Sequence, residues 1–365
     1  MESFVTYDIV FLGASPFSML EASYNHLIGK NVLILEKDRE LGGAWRVQKN
    51  EYFDSVDEAP HILQPYPDVY RFIEDVLGVP LYDVTERAFS ITPVPLFGQW
   101  THPYNCWPIT DLTSLMNTMK FQMSAEASGY RSYDSMMELL GKAKSQKTKQ
   151  VKFFTKGTGD FITKIASVAE KSGLDIRTGI EVKSLEKSAS DSDVVLKIES
   201  GDHIKTKSVT LPTNASIESI NFPELTHRSM RFVQKTLCLT ILVENADDLL
   251  FEIANFIDHK FLRFVSNVTS ICRFSSGFEA RGFGALKVFC RPDIPVSASL
   301  AAAVINELVL LGLAAPQIKI AYLQEEWHER PKIPGGIHKQ ISDALGPRVI
   351  AARTNNLAEV FSQRI

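Results

Sequence analysis

Short runs of consecutive apolar residues alternate with an amphipathic segment in the first part of the chain. One apolar run covers 7–12 and a second covers 32–35, which ends in Glu36. Between them, residues 19–27 place apolar side chains at helical spacing. A continuous apolar run is typical of a strand buried on both faces, as in a parallel sheet. The pattern therefore predicts a strand, a helix and a second, parallel strand.

The turn between the first strand and the helix is a candidate phosphate-binding loop. Its residues are Gly13, Ala14, Ser15, Pro16, Phe17 and Ser18. In dinucleotide-binding units, the first glycine makes the turn, the second admits the pyrophosphate and the third lets the helix pack closely. Here Ser15 and Ser18 take the second and third positions. Because serine is small and its hydroxyl can donate to a phosphate oxygen, we expect a pyrophosphate at the helix N-terminus, with a plain turn as the alternative.

Glu36 is the candidate ribose ligand. It follows the second strand directly and lies 23 residues after Gly13, close to the roughly 20 expected for the acid of such a unit. A carboxylate at that position accepts hydrogen bonds from ribose hydroxyls. The strand, turn, helix, strand and acid together indicate dinucleotide binding.

The segment after Glu36 indicates which dinucleotide. Residues 36–46 place an acid, a short spacer and a Gly-Gly pair after the second strand. This arrangement resembles the FAD-dependent superfamily of amine oxidases, protoporphyrinogen oxidase, carotenoid desaturases and UDP-galactopyranose mutase. The resemblance implies that Glu36 binds the adenosine ribose of FAD. It also implies that the backbone of Gly42 and Gly43 passes close to the phosphates and ribityl chain, since only glycine allows that approach. The further cofactor-binding residues of this segment are Lys37, Ala44 and Trp45.

The resemblance extends through residues 57–79. In these flavoproteins a histidine-containing turn beneath the flavin leads into a helix that ends at Leu-Gly. It implies that His61 contacts the flavin, while a hydrogen-bonded loop histidine is the alternative. Independently of the family, Pro67 suits a helix start and Gly78 a helix stop, so the spacing predicts a helix up to Val79.

Residues 92–108 are rich in proline and aromatic side chains, which excludes a helix. Aromatic rings beside a few polar groups suit the wall of a substrate pocket, and a packed structural loop is the alternative. The candidate pocket residues are Trp100, His102, Tyr104 and Trp107. Six lysines within 141–156 are read as a solvated loop rather than as a phosphate or nucleic-acid patch.

Outside the resemblance, the spacing predicts helices over 109–123 and 299–313 and short strands over 203–206, 209–211 and 317–323. The family pattern resumes from Phe153. A predicted helix over 162–172 is followed by a strand, and the resemblance implies that Val182 touches adenine through its backbone. The last predicted strand, 348–352, precedes Arg353, which stands where the family usually has Gly-Asp. In the family, a helix after this strand points its N-terminus at the cofactor, so Arg353 is a candidate cofactor residue.

These observations predict an α/β fold. The resemblance implies a Rossmann-like FAD-binding domain of the glutathione-reductase type, with a three-layer ββα architecture, interleaved with an α+β substrate-binding domain. We expect the discontinuous FAD-binding domain to cover 1–80, 151–215 and 325–365. The substrate-binding domain is expected to cover 81–150 and 216–324.

Composition narrows the classes of function. The formal net charge is −4 and 22% of the residues are charged, which is ordinary for a globular protein and unlike a dedicated nucleic-acid binder. No apolar run is long enough to span a bilayer, and the first residues lack a basic segment, so we expect no signal peptide and a cytoplasmic protein. The 4 cysteines form no CxxC and lie at no metal-ligand spacing, which predicts free thiols and no metal site.

Three functions are consistent with the sequence. The first is an FAD-dependent oxidoreductase that takes a hydride from a small organic substrate and passes the electrons to oxygen or another acceptor. The second is a flavin-dependent isomerase that resembles UDP-galactopyranose mutase. The third is a non-catalytic FAD-binding homologue that acts as a partner subunit, which the two serines in the glycine motif favour. No catalytic side chain and no oligomeric state follow from the sequence.

Overall fold

The structure is a computed structural model, and it describes part of the chain. The described residues are 6–48, 56–57, 63, 67–85, 88–89, 150–155, 157–188, 193–212, 214–228, 232–249, 253–256, 265–270, 282–290, 300–310, 314–333 and 335–352.

The strands in these residues form two large sheets and two small ladders. They are β1 (Thr6–Leu12), β2 (Val32–Glu36), β3 (Val47–Gln48), β4 (Val56–Asp57), β5 (Leu81–Thr85), β6 (Ala88–Phe89), β7 (Gln150–Phe154), β8 (Asp175–Thr178), β9 (Val182–Lys187), β10 (Val194–Ile198), β11 (His203–Pro212), β12 (Ser219–Phe222), β13 (Leu225–Arg228), β14 (Phe232–Val243), β15 (Ile253–Phe256), β16 (Val265–Ser270), β17 (Gly284–Cys290), β18 (Ile320–Lys332) and β19 (Val349–Ala352).

Helices in the described residues pack mainly on the first sheet. They are α1 (Pro16–Leu27), α2 (Pro67–Arg71), α3 (Gly159–Lys171), α4 (Leu300–Leu310) and α5 (Gly335–Leu345), with single 3-10 turns at Gly43–Trp45, Ala246–Asp248 and Gly346–Arg348. Helix α2 continues as a wider π-helical turn over Phe72–Val76. The predicted helices at 162–172 and 299–313 correspond to α3 and α4.

The first sheet has the order β13-β12-β9-β10-β11-β1-β2-β8, and β19 pairs with β11. Strands β11, β1, β2 and β8 run parallel, while β9, β10 and β11 form an antiparallel meander. The first half of β11 pairs with β10 and its second half pairs with β19. One long strand therefore joins the meander to the parallel layer, where the sequence predicts two short strands. The predicted α/β fold with a Rossmann-like parallel layer is confirmed.

Strand β1 is buried on both faces, which explains its continuous apolar run. Val10 and Leu12 belong to a core with the meander and α5, whereas Ile9 and Phe11 belong to a core with α1, α2 and α3. Both faces of the parallel layer are thus covered, as is usual for parallel strands.

The second sheet has the order β18-β14-β17-β16-β15-β6. Helix α4 packs on one face of it, where Leu237, Leu239 and Ile241 of β14 contact Val304 and Leu308 in one core. The other face carries the polar Thr240 and Lys287 together with Cys238, Leu242 and Ala285, and all five are buried.

The strand pairing bears on two expected domain boundaries. Strand β12 pairs with β9 and β13 pairs with β12, so residues 219–228 belong to the first sheet, although the expected boundary lies at 215/216. Strand β18 pairs with β14 along its length, so residues 325–332 belong to the second sheet instead of the FAD-binding unit. Strands β5 and β7 pair with each other, so the two ends of the predicted insertion 81–150 meet. The division into two domains stays a prediction.

Candidate functional site

The turn after β1 connects the parallel layer to helix α1. The N–H of Gly13 donates to the carbonyl oxygen of Leu35 at 2.8 Å, which ties the turn to the neighbouring strand β2. Gly13 has a φ of 91°, a conformation that residues with a Cβ rarely adopt. Ser15 is the N-cap of α1 and Pro16 occupies its first turn, where a missing N–H is harmless. The sequence therefore forms the expected tight strand-to-helix connection.

Glu36 lies beside this turn and is 5% exposed. Its Oε2 accepts a hydrogen bond from the N–H of Ala14 at 2.7 Å, and its Oε1 accepts one from the N–H of Asp38 at 3.0 Å. These two bonds fix the carboxylate at the carboxyl end of β2, against the turn that follows β1. Because each carboxylate oxygen can accept more than one hydrogen bond, acceptor capacity remains for the hydroxyls of a ligand.

The Gly42–Gly43 turn lies against the first turn. The N–H of Gly42 donates to the carbonyl oxygen of Ala14 at 2.9 Å. Arg46 fixes the far side of the turn, since its guanidinium donates to the Gly43 carbonyl at 3.1 Å and pairs with Asp38 at 3.1 Å. The structure thus brings together Gly13, Glu36 and the Gly-Gly pair, which the sequence placed at one site.

A methyl group added at each glycine would meet different surroundings. At Gly13 and at Gly43 a Cβ would have no heavy atom within 4 Å, so both positions face open space. At Gly42 a Cβ would lie 2.9 Å from Cδ1 of Ile162. A side chain at position 42 would therefore contact the protein's own core. Positions 13 and 43, in contrast, leave space next to the main chain for a bound cofactor.

We expect Gly42→Ala to destabilise the chain by about 1 kcal/mol more than Gly43→Ala. Both positions have a positive φ, but φ is 107° at Gly42 and 55° at Gly43, which is close to the left-handed helical conformation that other residues tolerate. The methyl at Gly42 also displaces the end of Ile162. Urea unfolding of both variants measures this difference, and equal losses of stability would contradict the account of the turn.

Ser15 and Ser18 form a local hydrogen-bond pair. The Ser15 hydroxyl oxygen accepts the backbone N–H of Ser18 at 3.2 Å, and the two hydroxyl oxygens are 3.0 Å apart. The sequence suggested that these hydroxyls donate to a phosphate, and that role stays a prediction. In the structure, the Ser15 oxygen caps the helix and takes up one of the N–H groups that an anion at the helix N-terminus would use.

Trp45 packs inside an aromatic cluster. Its ring lies edge-on to Phe17, with centroids 5.1 Å apart, and contacts the rings of Phe154 and Phe161 at 6.1 and 5.9 Å. The hydroxyl of Thr158 donates to the carbonyl oxygen of Trp45. Trp45, which the resemblance places at the cofactor, thus packs the Gly42–Gly43 turn against helix α3. Its contact with a cofactor stays a prediction.

The chain before β9 reaches the Glu36 end of the site. The N–H of Ile180 donates to the Glu36 carbonyl at 2.9 Å, and the N–H of Gly179 donates to the Asp38 carbonyl at 2.9 Å. These bonds hold the segment that leads into Val182 beside the end of β2. The side chain of Val182 is buried in the core, which leaves its backbone for the contact that the resemblance implies.

A charged group borders this segment. Glu181 accepts hydrogen bonds from Lys183 at 3.0 Å and from Ser216 at 2.8 Å. Burial raises the pKa of the Glu181 carboxyl, but these bonds and the positive charges of Lys183 and Lys37 outweigh burial and lower that pKa overall. Lys37 is exposed beside Glu36. The carboxylate of Glu181 is therefore ionised at neutral pH next to the predicted adenosine end.

Several predicted residues lie outside the described ranges. They are His61, Trp100, His102, Tyr104, Trp107 and Arg353, and the predicted helix at 109–123 lies outside them too. Within the described ranges, no group of three or more His, Cys, Asp or Glu residues is arranged to hold a metal ion. Over the same residues, no helix has both the length and the apolar character needed to cross a membrane.

A family profile matches the middle of the chain. The family is described as flavin containing amine oxidoreductase, and the match covers residues 107–228, roughly a third of the sequence. The matched range includes Val182 but neither Gly13 nor Glu36. No curated protein matches the chain.

Solved structures share the fold. A reduced UDP-galactopyranose mutase has 12% identity and a TM-score of 0.65, covering 96% of this chain and 88% of its own. A putrescine oxidase bound to putrescine has 12% identity and a TM-score of 0.55, covering 95% and 93%. An oxidoreductase from Methanosarcina mazei has 13% identity and a TM-score of 0.53, covering 90% of each chain.

Together the profile and the shared fold confirm the resemblance to the flavin amine oxidase superfamily. The chain is amine oxidase-like over the matched residues, and the profile supports a flavin-dependent oxidoreductase. At identities of 12–13%, the solved structures show the fold alone.

Proposed function

We propose that the chain binds FAD through its N-terminal β-α-β unit and oxidises a small organic substrate. In this proposal a C–H bond of the substrate breaks and its hydride would pass to the bound flavin. The adjoining C–N or C–C single bond becomes a double bond as the neighbouring atom loses a proton. The flavin supplies the redox chemistry when it is bound, and the protein supplies binding, orientation and exclusion of water. We also propose a cytoplasmic location, as expected from the sequence.

The position of the Glu36 carboxylate is the observation that carries the proposal. It is buried, fixed by two backbone N–H groups and placed at the carboxyl end of a parallel strand, where open α/β sheets bind ligands. On the adjacent turns, a Cβ at Gly13 or at Gly43 would meet no heavy atom within 4 Å, which leaves room for a ligand beside the carboxylate. This arrangement suits the adenosine ribose of a dinucleotide.

The pyrophosphate would lie over the Gly13 turn and the start of α1. The N–H of Phe17 has no acceptor among the described residues, so it is open to a phosphate oxygen. Glycine at 13 and 43 lets the main chain come close to that ligand from two sides. The residues present therefore fit FAD, with Glu36 at the ribose and the two glycine turns at the phosphates.

One observation favours a second candidate function. Ser15 occupies the N–H of Ser18, so fewer free donors face a phosphate than in an uncapped loop. A non-catalytic homologue that binds FAD weakly and serves as a partner subunit fits this feature. The likeness to UDP-galactopyranose mutase concerns the fold and does not by itself favour an isomerase.

Ser15→Gly should strengthen FAD binding by about two- to tenfold, the contribution of one additional hydrogen bond. Glycine is nearly as good an N-cap as serine, so the helix loses little stability, while the N–H of Ser18 becomes available. Ser18→Ala is the matched control, because it removes a hydroxyl but leaves the Ser15 cap on that N–H. Titration of apoprotein with FAD measures both. Weaker binding in Ser15→Gly would mean that the Ser15 hydroxyl itself binds the phosphate.

Anaerobic reduction of the FAD-loaded protein tests the proposed reaction. A panel of primary amines, secondary amines and alcohols is added without oxygen, and the flavin absorption band is followed. Bleaching by a member of the panel, with recovery on admitting air or an artificial electron acceptor, is the expected result. A protein that holds FAD yet is bleached by none of them, and that turns over a sugar nucleotide only after chemical pre-reduction, would support the isomerase instead.

A further inference from the structure

A fully buried lysine lies on the face of the second sheet opposite helix α4. Lys287 belongs to β17, and its neighbours Leu286 and Val288 point into the core beneath α4. Because side chains alternate along a strand, Lys287 points to the opposite face. Its side chain has no exposure to solvent. Lysine is almost never fully buried unless its charge is paired, so this position requires an explanation.

The strand register gives Lys287 polar neighbours. Thr240 of β14 pairs with Lys287 on one side and with Gln324 of β18 on the other, which makes a polar row across three strands. In the next row, the buried Cys238 pairs with Glu326. Apolar residues flank the polar row on its other side, where Leu242 pairs with the buried Ala285. A few convergent polar groups among apolar ones are typical of a small-molecule site.

The described residues satisfy only part of the hydrogen-bonding capacity of Lys287. Its Nζ donates to the Thr240 hydroxyl at 3.0 Å. The nearest carboxylate oxygen, on Glu326, is 3.7 Å away, which is too far for a hydrogen bond. An ammonium group has three N–H donors, so two of them have no acceptor in the part of the chain that the structure describes.

Glu326 does not fully neutralise the lysine. Its other carboxylate oxygen accepts a hydrogen bond from the Gln324 amide at 2.8 Å. Its side chain is 25% exposed, on the edge strand β18, so water screens its charge. The side chain of Lys287 is buried by contrast, and charge interactions are stronger there. A buried positive charge thus faces a partly solvated negative charge in the next row.

We propose that Lys287 Nζ and the Thr240 hydroxyl form a binding site for the carboxylate of a small organic acid. A carboxylate provides the acceptors that the two remaining N–H groups lack, and Thr240 holds the ammonium in place. If the chain is the oxidoreductase proposed above, the substrate of this enzyme carries a carboxylate. That last step rests on the proposed function, whereas the binding site itself does not.

Thermal unfolding in the presence of simple acids tests the site. The probes are acetate, hexanoate and phenylacetate, each compared with its neutral primary amide at the same concentration and ionic strength. The wild-type chain is compared with Lys287→Met, Lys287→Arg and Lys319→Met. Lys319 is a matched control, because it lies on the same unit with an exposed side chain 3.9 Å from Glu244.

The expected result is an acid-specific rise in melting temperature. At least one acid, but not its amide, stabilises the wild type and Lys319→Met. Lys287→Met binds that acid at least about tenfold more weakly, as for loss of a charge-assisted hydrogen bond, and Lys287→Arg retains part of the affinity. An equal acid effect in Lys287→Met, or none in the wild type, would overturn the proposal and leave Lys287 as a structural ion pair.

A second variant serves if Lys287→Met does not fold. Thr240→Val keeps the lysine and the volume of the side chain but removes the hydroxyl that orients Nζ. We expect a weaker acid effect in this variant and an unchanged response to the amides. An undiminished acid effect in Thr240→Val would overturn the role given to the threonine and with it the proposed site.

The test separates this inference from the proposed function, because it is carried out on protein without flavin. FAD binding is measured separately. Protein that takes up FAD but shows no acid-specific stabilisation refutes the carboxylate site alone. Protein that is stabilised by an acid through Lys287 but binds no FAD refutes the proposed function and keeps the site.

Discussion

Glu36→Ala weakens FAD binding by roughly 1.5–3 kcal/mol, or about 10- to 150-fold, if Glu36 is the ribose ligand. The carboxylate is buried at the end of β2 and held by the N–H groups of Ala14 and Asp38. Removing it takes away the acceptor for the ribose hydroxyls. Titration of apoprotein with FAD, followed by quenching of flavin fluorescence, gives the affinity.

Asp8→Ala is the matched control for this experiment. Asp8 also accepts a backbone N–H across the β1 and β2 strands, from Asn31 at 2.8 Å. It lies at the amino end of β1, while Glu36 follows the carboxyl end of β2. The control variant therefore loses a similar bond without touching the proposed site. Equal FAD affinity in Glu36→Ala and the wild type would show that the ribose ligand is elsewhere.

Phe161→Ala should lower the free energy of unfolding by about 3–5 kcal/mol, as for other large cavities in a packed core. The Phe161 ring has no exposure and lies 5.0 Å from Phe154 and 5.9 Å from Trp45, centroid to centroid. It joins helix α3 to the Gly42–Gly43 turn through Trp45. Urea unfolding, followed by far-ultraviolet circular dichroism, measures the loss.

Val168→Ala on the same helix is the control for Phe161→Ala. Val168 is 39% exposed, so its truncation should change stability by no more than about 0.5 kcal/mol. A loss below about 1 kcal/mol in Phe161→Ala would mean that the aromatic cluster does not support the turn.

The β-α-β unit was predictable because its strands are buried on both faces. Continuous apolar runs at 7–12 and 32–35 have few other structural explanations, and Gly13 and Glu36 flank them at the expected spacing. The site around Glu36 follows from this local arrangement. Long-range structure is needed only to bring Ile180 and its neighbours beside it.

Elements with weak or mixed patterns were harder to predict. The sequence pattern did not predict helix α5, although Ile337, Ile341 and Leu345 recur at intervals of four and pack on the first sheet. Strand β18 is longer than the predicted 317–323, because an edge strand can carry charged residues such as Glu325 that do not read as a strand. Its membership of the second sheet depends on pairing with β14, which no local pattern shows.

Some features of the structure depend on side-chain interactions that the sequence alone does not reveal. The hydroxyl of a serine in a phosphate loop can accept a backbone N–H at the helix cap and also donate to a phosphate, and only its position shows that Ser15 caps the helix. Lys287 interrupts an apolar run, which signals a buried lysine in principle. Thr240 lies on the neighbouring strand and Glu326 on the strand beyond it, so these polar neighbours appear only once the register is known.

The central claim is that the Gly13 turn, Glu36 and the Gly42–Gly43 turn form a site for FAD. Equilibrium titration of the purified apoprotein with FAD, followed by gel filtration and the visible flavin spectrum, tests it most directly, with ADP as a competitor for the adenosine half. The account predicts one FAD per chain, displaced by ADP. A chain that emerges colourless after exposure to excess FAD would contradict it.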